Sequence, residues 1–92
     1  INWDWQKERI RNWVRAQSYP YPGAFTHSEG QDEKIIVDEV VFSDRGFNET
    51  DRNGLIVSVN PICVKTPNGV IELRNIRNLE NLNFLAVGQK LV

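Results

Sequence analysis

The sequence predicts a mainly β fold: a small closed or nearly closed Greek-key barrel, with one N-terminal α-helix plugging or flanking it. Three observations predict it. Only one stretch, near the N-terminus, has helical periodicity. After Pro20 the chain becomes a succession of short runs rich in β-branched residues, separated by turn residues at the spacing usual for small barrels. Two of those runs flank an Asn-Gly pair, Asn68-Gly69, the dipeptide that favours a tight hairpin because both residues tolerate positive φ. A two-sheet sandwich is the structural alternative.

The helix is expected over about Gln6 to Gln17, a stretch free of Gly and Pro. Ile10, Trp13, Val14 and Gln17 recur at helical spacing as the inward face, with Lys7, Glu8, Arg11 and Arg15 largely on other faces. Asp4 is a better cap for the helix start than Gln6, because a short carboxylate can accept from the free amides of the first turn. Trp3 would then precede the cap and fold back on that turn as a staple. The helix should stop before Ser18-Tyr19-Pro20, since proline disfavours helical geometry in the residue before it. Gly23 then allows a sharp re-entry into the first strand.

Ala24 to His27 reads as that short strand, closed by the turn-forming run from Ser28 to Asp32. Longer strands are expected at Lys34 to Ser43 and at Gly54 to Val59, then at Ile62 to Thr66 and Val70 to Ile76 around the Pro67-Asn68-Gly69 turn. Between the long strands, Asp44 to Asn53 has only Phe47 to bury and reads as a mobile surface loop. The tail from Phe84 to Val92 reads as a final turn and a strand packing back on the barrel.

With 92 residues the chain is a single domain, 1–92, too short for a catalytic cofactor domain with a second unit beside it. It begins at Ile1 and contains no methionine, so it is expected to have been cut from a longer chain. Eleven Lys and Arg stand against 12 Asp and Glu, a net charge of −1 that gives no broad attractive field for a polyanion such as tRNA. The one cysteine, Cys63, lies in a strand-like run and reads as a small buried residue in a reducing compartment, so a cytoplasmic location is expected. No apolar run approaches a membrane span, and no secretory signal is visible, so a soluble protein without membrane partners is expected.

Catalytic chemistry needs convergent groups, and the lone histidine, His27, has no partner pattern around it. Asp38 and Glu39 are adjacent in a strand and fall on opposite faces, which excludes a paired acid and base. Glu49-Thr50-Asp51 lacks the ligand spacing of a calcium loop, and no metal, P-loop or dinucleotide motif is present. What remains is a basic helix flank of Lys7, Arg9, Arg11 and Arg15, suited to an acceptor or to a neighbouring domain, against the plainer reading of a solvated face. Tyr19, Tyr21 and Phe25, beside Trp13, suit either a stacking platform or, by preference, core and lid.

The order of Ile1-Asn2-Trp3, Ile10 with Asn12, Val14-Arg15-Ala16 and Pro20-Tyr21-Pro22-Gly23-Ala24-Phe25-Thr26 resembles the C-terminal domain of methionyl-tRNA formyltransferases and the related sugar-nucleotide N-formyltransferases. Gly54-Leu55-Ile56-Val57-Ser58-Val59, Asn68-Gly69-Val70-Ile71 and Val87-Gly88-Gln89-Lys90-Leu91 agree, so the resemblance covers nearly the whole chain. Trp3, Trp13, Pro20, Pro22, Gly23 and Phe25 are its structural markers, with the Pro20 to Phe25 run the specific part.

The resemblance implies a small open Greek-key, OB-like barrel of formyltransferase C-terminal-domain type, itself non-catalytic and the C-terminal fragment of a longer formyltransferase. It also implies a preceding catalytic domain in the same chain that moves a formyl group from 10-formyltetrahydrofolate to a primary amine. The family's His-Ser-Leu-Leu-Pro type of motif is absent around His27, so that residue does not inherit the catalytic role. Asn53 stands where the family commonly has proline. A near-neutral charge, where tRNA-binding members are basic, moves the expected acceptor towards an amino-sugar nucleotide and away from methionyl-tRNA. An OB-like nucleic-acid-binding module and a homodimerisation module are the alternatives.

Overall fold

The computed structural model describes residues 1–92 and contains α1 (Lys7–Gln17), β1 (Ala24–Thr26), β2 (Ile35–Ser43), β3 (Ile56–Val59), β4 (Ile62–Thr66) and β5 (Gly69–Ile76), with a 3-10 turn at Leu79–Asn81. The strands form one antiparallel sheet in the order β1-β2-β5-β4-β3. β3, β4 and β5 are joined by tight turns, while β2 reaches the far side of β5 through the long connection that follows Ser43; this is Greek-key connectivity. No helix is long and apolar enough to cross a membrane.

The sheet is open between β1 and β3, and the C-terminal tail spans the gap. On the β1 side, His27 and Val92 exchange both backbone hydrogen bonds at 3.1 and 2.8 Å, and the Glu29 amide donates to the Lys90 carbonyl. Facing β3, the Ile56 amide donates to the Gln89 carbonyl and the Leu91 amide to the Gly54 carbonyl, each at 2.8 Å. Leu91 is thereby fully buried. An exposed edge on each side would leave a row of unpaired amides and carbonyls, and the tail satisfies both rows at once. The expected packing of Phe84 to Val92 is thus a barrel closure.

α1 sits on β2, with smaller contacts to β1 and β5. Ile10 and Val14, one turn apart, are its buried residues and join Val37, Val40, Ile56, Val64, Ile71 and Leu91 in one apolar cluster. Trp13, expected on the inward face, is 41 % exposed. Two apolar side chains at i and i+4 suffice to seat so short a helix, and Trp13 falls outside their stripe.

Asp4 does not cap this helix. Gln6 holds the N-cap position and makes no side-chain capping bond. Residues 2 to 5 form their own turn, with the Trp5 amide on the Asn2 carbonyl and the Asp4 amide on Asn2 Oδ1, and Asp4 instead accepts from Asn53 Nδ2 at 3.2 Å. The cap comes from across the fold: Asn68 Oδ1 accepts the Lys7 amide at 2.9 Å, while Asn68 Nδ2 donates to Glu8 Oε1 at 2.8 Å. Trp3 is not a staple on the first turn either. It is buried in the barrel, its indole N–H donating to Thr26 Oγ1 at 2.9 Å, and Thr26 Oγ1 donates in turn to the Val92 carbonyl.

The β4–β5 hairpin forms where expected, but around Pro67-Asn68, with Thr66 opposite Gly69. Asn75 is the sole non-glycine residue at positive φ, so Asn68 is not in the left-handed conformation that an Asn-Gly turn would use. Pro67 fixes negative φ at the first central position, and the Asn68 side chain is employed on the helix.

Lys65 is 2 % exposed although no carboxylate pairs with it. A buried ammonium needs compensating partners. Its Nζ donates to Asn53 Oδ1 at 2.8 Å and lies 5.7 Å from the Phe47 ring centre. Residues 44 to 52 are otherwise exposed and irregular, so this loop is a surface loop fastened at Asn53 and Phe47.

Two stability measurements test this picture. Gly54 has φ +91, and a Cβ there would sit 2.5 Å from the Leu91 carbonyl oxygen. Gly54→Ala should therefore cost more than about 1 kcal/mol in urea unfolding and speed amide exchange at Leu91 and Ile56. Unchanged exchange at those amides would refute the closure. Asn68→Ala should cost about 1 kcal/mol and lower helical circular dichroism, as loss of a cap does, although residue 68 lies outside the helix.

Candidate interaction surface

The helix-to-strand junction is fixed by its backbone and not by its aromatic side chains. Arg77, just past β5, donates from Nε to Asp38 Oδ2 at 2.7 Å and from Nη2 to Asp38 Oδ1 at 2.8 Å. The same guanidinium donates to the carbonyls of Pro22 at 3.0 Å and Tyr21 at 2.9 Å. A planar fork with five donors suits this task, and a lysine could not reproduce it. Asp38 also accepts the Tyr19 amide.

Gly23 is required in this arrangement. It has φ +96, and a Cβ would stand 2.7 Å from Ile36 Cγ2 and 3.2 Å from Arg77 Cζ. Pro20 and Pro22 are exposed and serve by shaping the chain that presents those carbonyls.

Tyr19 and Tyr21 are exposed, at 83 % and 61 %, which corrects the expectation that they act as core or lid. With the junction held through main-chain carbonyls, their rings are left outside. Phe25 is half-exposed on β1, edge-on to His27 at 5.7 Å between ring centres, with Lys34 Nζ 4.4 Å from its own centre. Trp13 packs edge-on to Trp5 at 5.9 Å, and Arg9 lies 3.9 Å over the Trp5 ring. Tyr19, Tyr21, Phe25 and Trp13 make no ring pair with one another.

The four cations of α1 do not share one face. Lys7, Arg11 and Arg15 follow at four-residue intervals along one flank of the buried Ile10–Val14 stripe, whereas Arg9 falls on the other flank with Trp13. Lys7 Nζ and the Arg11 guanidinium lie 5.0 and 5.2 Å from the centre of the Phe42 ring, itself 42 % exposed on β2. Ion pairs within 4 Å involve only Arg52, Arg74 and Arg77, so the helix cations carry no carboxylate partner.

His27 pairs with Val92 through its backbone, and its ring makes no hydrogen bond. Asp38 and Glu39 are engaged separately, by Arg77 and by Asn75. No group of three His, Cys, Asp or Glu side chains is close enough to hold a metal ion. The chain's surface concavities are open clefts, the most apolar of them lined by Val59, Pro61, Ile62, Leu73, Ile76 and Leu79. The exposed cations of α1, the Phe42 ring and the Arg77-held junction are thus the main concentration of charged and aromatic groups on this side of the barrel.

Residues 1–83 match the profile described as the formyl transferase C-terminal domain. This chain belongs to that family. The matched span contains the junction from Pro20 to Phe25, Arg77, Asp38 and all four helix cations. The chain is also similar to the bifunctional polymyxin resistance protein ArnA of Wigglesworthia glossinidia brevipalpis, 29 % identical over 102 aligned positions that take in the whole of this chain. It spans only 15 % of that protein's length.

Sequence reasoning missed Arg77, Asn68, Lys65 and Asn53. Each acts through a partner distant in the chain, and a charged or amide residue, whether in a turn like Arg77, Asn68 and Asn53 or in a strand like Lys65, carries no local sign of such a partner.

The Arg77 hydrogen bonds hold the Asp38 carboxyl below the usual aspartate value, against partial desolvation that pushes it up, and Arg77 is raised in turn. A carboxylate depressed in the folded state stabilises fully above its unfolded pKa of about 3.9, and that contribution is lost as pH falls through the folded value. Stability should therefore decline with acid below about pH 4, and Asp38→Asn should flatten that part of the curve in urea unfolding between pH 5 and about pH 2. An identical slope in the variant would remove Asp38 as the cause.

Proposed function

We propose that this chain is the non-catalytic accessory domain of a 10-formyltetrahydrofolate-dependent formyltransferase, acting with a preceding catalytic domain of the same polypeptide in the cytoplasm. The observation that carries this reading is the family match over residues 1–83 in a domain with no convergent catalytic groups. The named relative is several times longer than this chain, in keeping with a domain that works inside a larger protein. The open clefts and the lone, unpartnered His27 do not fit a folate site, which in this reading belongs to the catalytic domain.

In this reading the Arg77 fork and Gly23 hold the junction rigid against the barrel, and α1 presents its cations to the acceptor or to the neighbouring domain. The acceptor is a primary amine carried on a nucleotide. Net charge favours an amino-sugar nucleotide over methionyl-tRNA, because a net −1 domain gives little long-range attraction for a polyanion. Homodimerisation through the domain is an additional role to be read from the same protein.

Incubating the complete polypeptide with 10-formyltetrahydrofolate and either amino-sugar nucleotides or charged initiator tRNA should give N-formylation of the sugar, with no turnover by residues 1–92 alone. Formylation of neither acceptor would overturn the reading, and formylation of the tRNA alone would replace the acceptor. A nucleic-acid module would instead bind tRNA in the isolated domain with affinity falling steeply as salt rises.

A further inference from the structure

We propose that Lys7, Arg11 and Phe42 form a binding point for a nucleoside diphosphate, the two cations taking its phosphates and the ring its base, on the flank of α1 opposite Arg9.

Lys7 is the unexpected member. It stands in the first turn, where the exposed amides make the helix end positive and a cation is unfavourable. It is nevertheless half-buried and pairs with no carboxylate. Its position is built from behind: Asn68 Oδ1 holds its amide, and the absence of a side chain at Gly69 makes room for its stem. A Cβ at Gly69 would come within 3.1 Å of both Lys7 Cδ and Nζ. The ammonium is thereby set 5.0 Å from the Phe42 ring centre, and the Arg11 guanidinium, one turn on, reaches 5.2 Å from the same centre.

The nearby acids do not neutralise the pair. Glu8 is drawn to Asn68 Nδ2, whose hydrogen bond is the leading cause of its lowered pKa, with the Lys7 charge a lesser one. Glu72 stands opposite Val41, on the sheet face away from Phe42, and is bound to Arg74 at 2.6 Å, while Asp44, two residues past Phe42, forms no ion pair. Ser43 Oγ accepts the Arg45 amide. Two cations free of carboxylate partners and converging on one half-exposed ring match a ligand that joins two adjacent anionic groups to a planar ring system. A nucleoside diphosphate has that chemistry. A long polyanion is disfavoured by the chain's net charge of −1.

The inference rests on the formyltransferase reading only for the identity of the acceptor, and its test needs no transfer activity. The ¹⁵N-labelled 92-residue chain is titrated at low salt with ADP, inorganic pyrophosphate and adenosine, and amide shifts are followed. ADP and pyrophosphate should shift Lys7, Arg11, Phe42 and Gly69, adenosine should not, and ADP should bind more tightly than pyrophosphate. Lys7→Gln and Arg11→Gln should each weaken ADP binding about tenfold. Phe42→Leu should weaken ADP but not pyrophosphate. Arg52→Gln, at an arginine paired with Glu29, should change neither.

Arg11 is exposed, so Arg11→Gln reports on binding even where another variant perturbs folding, and unchanged amides elsewhere verify the fold. No shift at these positions with millimolar ADP, or binding that survives loss of both cations, overturns the proposal. Equal binding of ADP and pyrophosphate, unaffected by Phe42→Leu, overturns the nucleotide assignment. Tighter, steeply salt-dependent binding of tRNA overturns it in favour of a nucleic acid. Failed ADP binding alongside intact formyl transfer by the complete polypeptide sinks this site alone; the converse sinks the enzymatic reading alone.

Discussion

The path from α1 into the barrel depends on the Arg77 guanidinium. One planar group meets both oxygens of Asp38 in β2 and the carbonyls of Tyr21 and Pro22 in the junction. Those carbonyls belong to a segment without regular structure, where chain entropy would otherwise favour many paths from helix to strand. The charge-assisted fork selects one path, and Asp38, bonded to the Tyr19 amide, extends the hold towards the end of the helix. At its start the helix is held by Asn68, again from the barrel. An 11-residue helix is marginal by itself, so its register and tilt are set from both ends by polar side chains and in the middle by Ile10 and Val14.

The same logic closes the barrel. Trp3 donates to Thr26 Oγ1, which donates to the Val92 carbonyl, so the first residues, the first strand and the tail meet in one chain of hydrogen bonds. Gly54 lies against that meeting point, where a Cβ would touch Leu91 O and the Trp3 ring. Lys65 adds a second polar link, since Asn53 accepts from its buried ammonium and donates to Asp4. In a domain whose apolar core is small, such satisfied buried polar groups specify which segments come together, because any other pairing would leave them without partners.

The β content, the β4–β5 hairpin and the helix were legible in the sequence because each follows from local patterning: β-branched runs for β2 to β5, a period of 3.6 for α1, prolines where the helix ends. Gly23 was legible as a re-entry point, though not its closeness to Arg77. What could not be read was reciprocal and distant. Asp4 looks like a cap by composition, but the cap is 61 residues from the amide that it serves. Trp13 looks apolar enough for the core, but a helix this short needs only two inward side chains. Asn68-Gly69 looks like a mirror-image turn, yet Pro67 moves the turn back by one residue and frees Asn68 for the helix. For the site, the cations of α1 were visible as a set; their division into a Phe42 side and a Trp5 side required the geometry.

That division changes what near-neutral charge means for this surface. A net charge of −1 describes the field at distances beyond a Debye length of about 8 Å, where contributions of both signs cancel. At contact range the relevant quantity is which charges are already paired. Arg52, Arg74 and Arg77 are consumed by carboxylates, and Arg9 is stacked on Trp5. Lys7 and Arg11 are held against one ring with no counter-charge within ion-pair distance. The domain therefore lacks the long-range attraction that gathers a polyanion from solution and retains a short-range pair able to grip a small one. Such a pair suits a ligand delivered to the surface by other means, as when a neighbouring domain already holds the rest of the molecule.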